Sequence, residues 1–188
     1  MKFHPILFST EMVKAILEGR KTQTRRVVKI NGVMQTAAKM IYTDGNWHGE
    51  SGRKVKFPYG NVGDVLWVRE SWQHNVNDFG ESSGNFFYKA SEDAEKNIIG
   101  WKPSIHIPKA ACRLFLKIKN ISVERLQDIT RGDCMAEGCP FPNIAKETDP
   151  KRWFSELWQS INGKESWNAN PWVWVIEFEQ INKPENFR

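Results

Sequence analysis

The sequence predicts an α+β fold, in which short helices flank a small mixed or antiparallel β-barrel. Strand-patterned apolar runs recur at residues 62–72, 85–90, 114–119 and 172–178, either nearly continuous or alternating with period two. Few of these runs are joined by a segment periodic enough to be a full crossover helix, so a doubly wound parallel sheet fits poorly. A length of 188 residues, 40% hydrophobic and 26% charged, suits one folded domain with a good core.

Taken in order, Ser9-Thr10-Glu11 supplies an N-cap and an acidic first turn. Met12, Val13, Ile16 and Leu17 then recur at helical spacing until Gly19, which predicts a helix over about 10–18. Residues 31–61 read as irregular, apart from a hairpin signalled by Asp44-Gly45 between Ile41-Tyr42-Thr43 and Asn46-Trp47-His48. Gly63-Asp64 launches Val65-Leu66-Trp67-Val68, whose unbroken apolar run belongs in the middle of a sheet. Residues 74–84 are polar, 85–90 read as a short strand and 91–111 as a loop. Leu114, Leu116 and Ile118 alternate with Phe115, Lys117 and Lys119, the pattern of a half-exposed strand. Thr130 and Asp133 have the spacing of a capping box, for a short helix that runs to Gly138 with Glu137 in its last turn. Asp149-Pro150 opens a third helix in N-cap and N1 order; Trp153, Phe154, Leu157, Trp158 and Ile161 form its apolar stripe and Gly163 its stop. In the final strand Trp172, Trp174, Ile176 and Phe178 face one way, and Val173, Val175 and Glu177 the other.

Charge is concentrated in one place. Residues 20–29, Arg-Lys-Thr-Gln-Thr-Arg-Arg-Val-Val-Lys, hold five cations and no acid, and the chain's net charge is also +5. A loop of this kind focuses a field on phosphates, although a solvated basic turn has the same composition. Arg20 and Lys21 also sit where cations offset the negative end of the first helix, a reading that leaves Arg25 and Arg26 unexplained. Thr22 and Thr24 add hydroxyls that solubility does not require. Nine tryptophans serve either as core or as stacking platforms for bases, and most are expected to be core.

Other classes are excluded or disfavoured. Three cysteines without CxxC spacing and four histidines without an HxxxH pair predict reduced thiols and no metal. No GxGxxG, GxxxxGKS or GxSxG block is present, so no nucleotide motor, dinucleotide enzyme or esterase elbow is expected, and no cofactor. No apolar run approaches the length of a membrane span, and Met-Lys-Phe-His-Pro lacks the apolar region of a signal peptide; no membrane contact and a cytoplasmic location are expected.

Four blocks in order resemble the ASCH domain. They are Gly19-Arg20-Lys21-Thr22-Gln23-Thr24-Arg25-Arg26 after a short amphipathic helix, Gly63-Asp64-Val65-Leu66-Trp67-Val68, Leu126-Gln127-Asp128-Ile129-Thr130 leading to Ala136-Glu137-Gly138, and Val173-Trp174-Val175-Ile176-Glu177-Phe178. The resemblance makes residues 1–188 a single ASCH-like domain with insertions at about 31–60 and 74–111. The Trp67-Val68-Arg69-Glu70 block and the Asn170-Pro171-Trp172 ending look like the longer members often encoded by phages and prophages. It implies a PUA-like β-barrel, a fold associated with RNA and modified-base recognition, with the basic loop as one wall of a cleft. Some short members deacetylate N4-acetylcytidine, and their catalytic Lys, Thr and Glu fall on Lys21, Thr24 and Glu137 here. A lysine of lowered pKa can act as base, a threonine as nucleophile and a carboxylate as proton relay. For Glu137 the alternative is a helix-end carboxylate beside a cation. Arg25-Arg26 stands where an apolar residue and a single Arg are more usual, which favours a polyanion over a free nucleoside.

The sequence therefore points to binding of RNA or a nucleic-acid component in a cleft of Arg20, Lys21, Thr22, Thr24, Arg25 and Arg26. Arg69 and Glu70 are either cleft residues or an ion pair at a strand end. One alternative is an amidohydrolase acting on N4-acylated cytidine nucleosides, or less favourably a ribonuclease, with Lys21 Nζ in reach of both Thr24 Oγ1 and Glu137. The other is a phage accessory protein that binds a protein partner through its Trp-rich C-terminal region.

Overall fold

Five strands build the main sheet: β1 (Phe3–Leu7), β8 (Val65–Arg69), β11 (Phe115–Arg125), β12 (Trp172–Ile181) and β2 (Gln23–Val27), side by side in that order. The first pair is parallel and the rest antiparallel. The structure, a computed structural model, describes residues 1–30, 32–35, 39–76, 82–91, 100–141 and 149–188. Among these residues β1 and β2 are the two edges of the sheet and do not pair, so the expected barrel is not closed and the fold is an open, mixed α+β arrangement. The physical reason lies in α1 (Thr10–Leu17), which links the two edge strands. Its Met12, Val13 and Ile16 pack with Ile6, Val68, Leu116 and Phe178, occupying the face around which the edges would have to curl.

The ends of α1 follow from local chemistry. Ser9 Oγ accepts from the Met12 amide. Gly19, at φ +73, lets the Gly19 and Arg20 amides turn back to the Ile16 and Ala15 carbonyls, at 3.0 and 2.9 Å. Leu17 is a correction: at 43% exposed it lies off the buried stripe.

Strand β8 is internal and apolar throughout because both its faces are covered. Leu66 and Val68 join the α1 core, while Val65 and Trp67 pack with Trp72, Phe115 and Phe187. Phe115 was expected on an exposed face, but it is fully buried, its ring centroid 4.8 Å from that of Phe187 near the C-terminus. On β12 Val173 and Val175 pack under α3 (Pro150–Asn162) with Phe154 and Trp158. Asp149 caps α3 and Gly163 ends it as expected, whereas Ile161 is 53% exposed. A full capping box between Thr130 and Asp133 starts α2 (Arg131–Ala136), and Glu137 is its C-cap.

The expected hairpin is present as β5 (Ile41–Thr43) and β6 (Asn46–His48), and the stretch otherwise expected to be irregular adds β7 (Lys54–Val55), which pairs with β6, and β4 (Val33–Met34), which pairs with β3 (Lys29–Ile30). The β5–β6 turn uses Asp44 and Gly45 at φ 49 and 72, the left-handed pair that a two-residue hairpin needs. Strands β9 (Trp72–Val76) and β10 (Ser82–Tyr88) pair antiparallel, reaching into the stretch read as polar loop. Parts of 31–61, 74–84 and 91–111 lie outside the described residues. Trp67, Trp72, Trp158 and Trp174 are buried and the other five tryptophans half-buried, so packing accounts for them. Among the described residues no helix is long and apolar enough to cross a membrane.

Candidate functional site

The turn after α1 carries the first site residue into the interior. The Lys21 amide bonds to Ala15 O at 2.9 Å, the Thr22 amide to Ala136 O at 2.8 Å, and Thr22 O accepts from the Phe178 amide at 2.9 Å. Lys21 thereby bridges to Glu137, tying the end of α1 to the end of α2. Gly138 permits this close approach: a Cβ there would lie 2.9 Å from Ala15 Cβ and 3.2 Å from Lys21 Cβ, and its φ is +99.

Lys21 is wholly buried, and its ammonium donates to Gln23 O at 2.8 Å, Glu137 O at 2.9 Å and Glu137 Oε2 at 2.6 Å. Those three bonds use all its protons. Burial pushes its pKa below the ordinary 10.5, with the Glu137 carboxylate opposing that shift. The expected contact between Lys21 and Glu137 is therefore direct. No Nζ proton goes to Thr24, however. Thr24 is 1% exposed and lines a recess of about 50 Å³ together with Glu137, Arg25, Arg26, Phe154 and Trp158.

Arg25 is buried among acids. Its Nη2 lies 2.6 Å from Glu124 Oε1 and 3.5 Å from Asp133 Oδ2; its Nη1 lies 3.3 Å from Glu137 Oε1 and also reaches Gln23 Oε1. Burial pushes Asp133 up, but hydrogen bonds from Thr130 and the charge of Arg25 leave it below the usual carboxylate value. Arg26 donates to Leu7 O at 2.8 Å and lies over the Phe8 ring, 5.2 Å from its centroid. Arg20 Nε donates to Glu18 Oε2 at 2.7 Å, its Nη1 donates to Gly138 O, and Thr22 is exposed. Arg20, Lys21 and Arg25 are thus each paired with carboxylates of the chain itself.

Arg69 and Glu70 do not pair with each other. Glu70, 1% exposed, receives Arg113 Nε and Nη2 at 2.9 and 3.0 Å, and Arg69 stacks on Trp67 with its guanidinium 5.6 Å from the ring centroid. Sequence reasoning missed Gln23, Arg113, Glu124 and Asp133 as partners. Glu124 faces Val173, which faces Val27, two residues from Arg25; only the strand register reveals that adjacency.

The chain matches no protein-family model and no curated protein. Among solved structures it is similar to a crystal structure of an ASCH domain from Lactobacillus crispatus JV V101, at 12% identity and a TM-score of 0.45, over 97% of this chain and 81% of that one.

Proposed function

We propose that Lys21, Glu137 and Thr24 form a hydrolytic site for a small N-acylated ligand, and that N4-acylated cytidine nucleosides, the class implied by the ASCH resemblance, are its substrates. The observation that carries this reading is the 2.6 Å contact of Lys21 Nζ with Glu137 Oε2, across 116 positions and out of solvent, beside a recess that Thr24 lines. Stability alone is a poor reason for such a pair, since apolar residues of similar volume often do as well or better. A lysine perturbed by burial and by one specific acid is a common mark of a working site.

In this reading Lys21 passes a proton to Glu137 Oε2, a transfer that burial of the ammonium favours. The free amine gives up its bond to Gln23 O, turns to Thr24 and takes the hydroxyl proton as Oγ1 attacks the acyl carbonyl. The C–N bond breaks, the proton goes to the departing N4 amine, and water cleaves the threonyl ester to release the carboxylic acid. Arg26 borders the same recess and offers charge to the developing oxyanion. A volume of about 50 Å³ suits the acyl end of the ligand, with the base outside the mouth. Because Arg20, Lys21 and Arg25 are already paired, the loop supports a small ligand better than a long polyanion.

The test is chromatographic measurement of cytidine and acetate released from N4-acetylcytidine, with a panel of other N4-acylated cytidines beside it. Thr24→Ala and Lys21→Ala should each lower the rate at least about a hundredfold, with folding checked by circular dichroism. Absence of turnover across the panel, or a Thr24→Ala protein that turns over like the parent, would overturn the proposal.

A further inference from the structure

A second concavity, of about 800 Å³, lies between β1, the β5–β6 hairpin and the loop that follows β7. Its volume falls among those of functional ligand sites. Lys2, Lys54 and Lys56 line it and are all exposed. Among the described residues, none of the three lies within ion-pair distance of a carboxylate. They differ in this from Arg20, Lys21 and Arg25, each of which meets a carboxylate. The one acid in the wall, Asp64, is already occupied: it accepts from the Lys2 and Asn61 amides at 2.7 and 3.0 Å and lies 3.5 Å from His4 Nε2.

Aromatic rings stand among these lysines. Trp47 packs against a core that includes Trp174, and Phe57 lies with its centroid 5.1 Å from that of Trp174, so both rings are held from behind. Tyr42 projects from the β5–β6 hairpin at 61% exposure, braced by Trp47 at 5.1 Å between centroids. A large exposed ring, braced at its edge and sharing a concavity with three ammonium groups that meet no carboxylate among the described residues, does nothing for the core. It matches the two needs of an unpaired polynucleotide, a surface on which a base can stack and cations for its phosphates. A duplex offers the phosphates but hides its base faces, and an acidic peptide gives Tyr42 no task.

We infer that this groove binds single-stranded nucleic acid, with Lys2, Lys54 and Lys56 along the phosphates and Tyr42 stacked on a base. The inference is independent of the reaction proposed at Lys21.

Fluorescence anisotropy with labelled oligo(U) and oligo(dT) of roughly a dozen nucleotides, and a duplex of equal length, tests it over a range of salt. The parent should bind the single strands more tightly than the duplex. Lys54→Ala/Lys56→Ala should weaken binding and flatten the plot of log affinity against log salt by about 1.4, at about 0.7 per phosphate contact on a single strand. Tyr42→Ala should weaken binding about five- to a hundredfold while keeping the parental slope. The charge-matched surface variant Lys117→Ala/Lys119→Ala should behave as the parent, and preference for RNA over DNA then identifies the strand. The inference is overturned by an absence of binding, by preference for the duplex, by parental binding in Lys54→Ala/Lys56→Ala or Tyr42→Ala, or by an equal loss in the control.

Discussion

Replacing Lys21 with methionine keeps most of the side chain's volume and removes its charge. Three acceptors, Gln23 O, Glu137 O and Glu137 Oε2, then lose their donor, and Glu137, 3% exposed, keeps only Arg25 Nη1 at 3.3 Å as its cation. Breaking one side of a buried pair costs about 3–5 kcal/mol, and a stranded buried acceptor about 1–3 kcal/mol. These costs overlap and Arg25 offsets part of them, so about 3–4 kcal/mol is expected. For a chain of this size that is a fall in Tm of about 6–16 °C. In urea the midpoint should move while the slope stays constant. Lys21→Met/Glu137→Leu removes both charges and should be more stable than the sum of its single variants by about 2 kcal/mol. The pH dependence has a definite sign. Folded Lys21 has a pKa below 10.5, so between the two values the unfolded chain binds more protons, and the parent gains stability from this group as pH rises toward 10.5. Lys21→Met lacks that gain. A single variant within about 1 kcal/mol of the parent, or strictly additive changes, would refute the buried pair.

Gly138→Ala should cost about 1–3 kcal/mol, read by thermal melting, and should also impair any turnover, because the new methyl presses on Ala15 and Lys21 at a left-handed φ. Burial pushes the Cys112 thiol up to about 11 and Cys134 up to about 12, so neither should react with iodoacetamide at mildly alkaline pH until the chain is unfolded; mass spectrometry counts the adducts.

What the sequence made legible was mostly local. Ser9 and Gly19 bound α1, Asp149-Pro150 and Gly163 bound α3, and Asp44-Gly45 turns the hairpin, because each depends on groups within four residues of one another. The internal position of β8 was also legible, since a strand covered on both faces needs no polar side. Closure of the sheet was not, because it depends on where α1 packs, and neither was Phe115, whose cover arrives from Phe187 far along the chain. At the site, the approach of Lys21 to Glu137 followed from the family resemblance, not from periodicity. The three acids around Arg25 were invisible because they come from β11, α2 and the end of α2, brought together by register and by a capping box.

Pairing within the fold decides what the basic decapeptide can do. The chain's whole excess of positive charge falls in residues 20–29, a concentration that would attract phosphates if the charges were free. In that segment, however, Lys21 and Arg25 are already held by Glu124, Asp133 and Glu137, and Arg26 donates to Leu7 O and lies over the Phe8 ring. A polyanion approaching this cluster gains little Coulomb energy from Lys21 or Arg25, and to win the Arg25 guanidinium it must displace a carboxylate already within hydrogen-bond distance. A small uncharged amide meets no such opposition, and the low dielectric that burial provides strengthens every dipole it meets. Lys54 and Lys56 carry no acid to be displaced among the described residues, so a phosphate that meets them keeps the full attraction. Availability of charge, set by pairing and not by the count of lysines and arginines, separates the proposed site for a neutral ligand at Lys21 from the proposed site for a polyanion beside Tyr42.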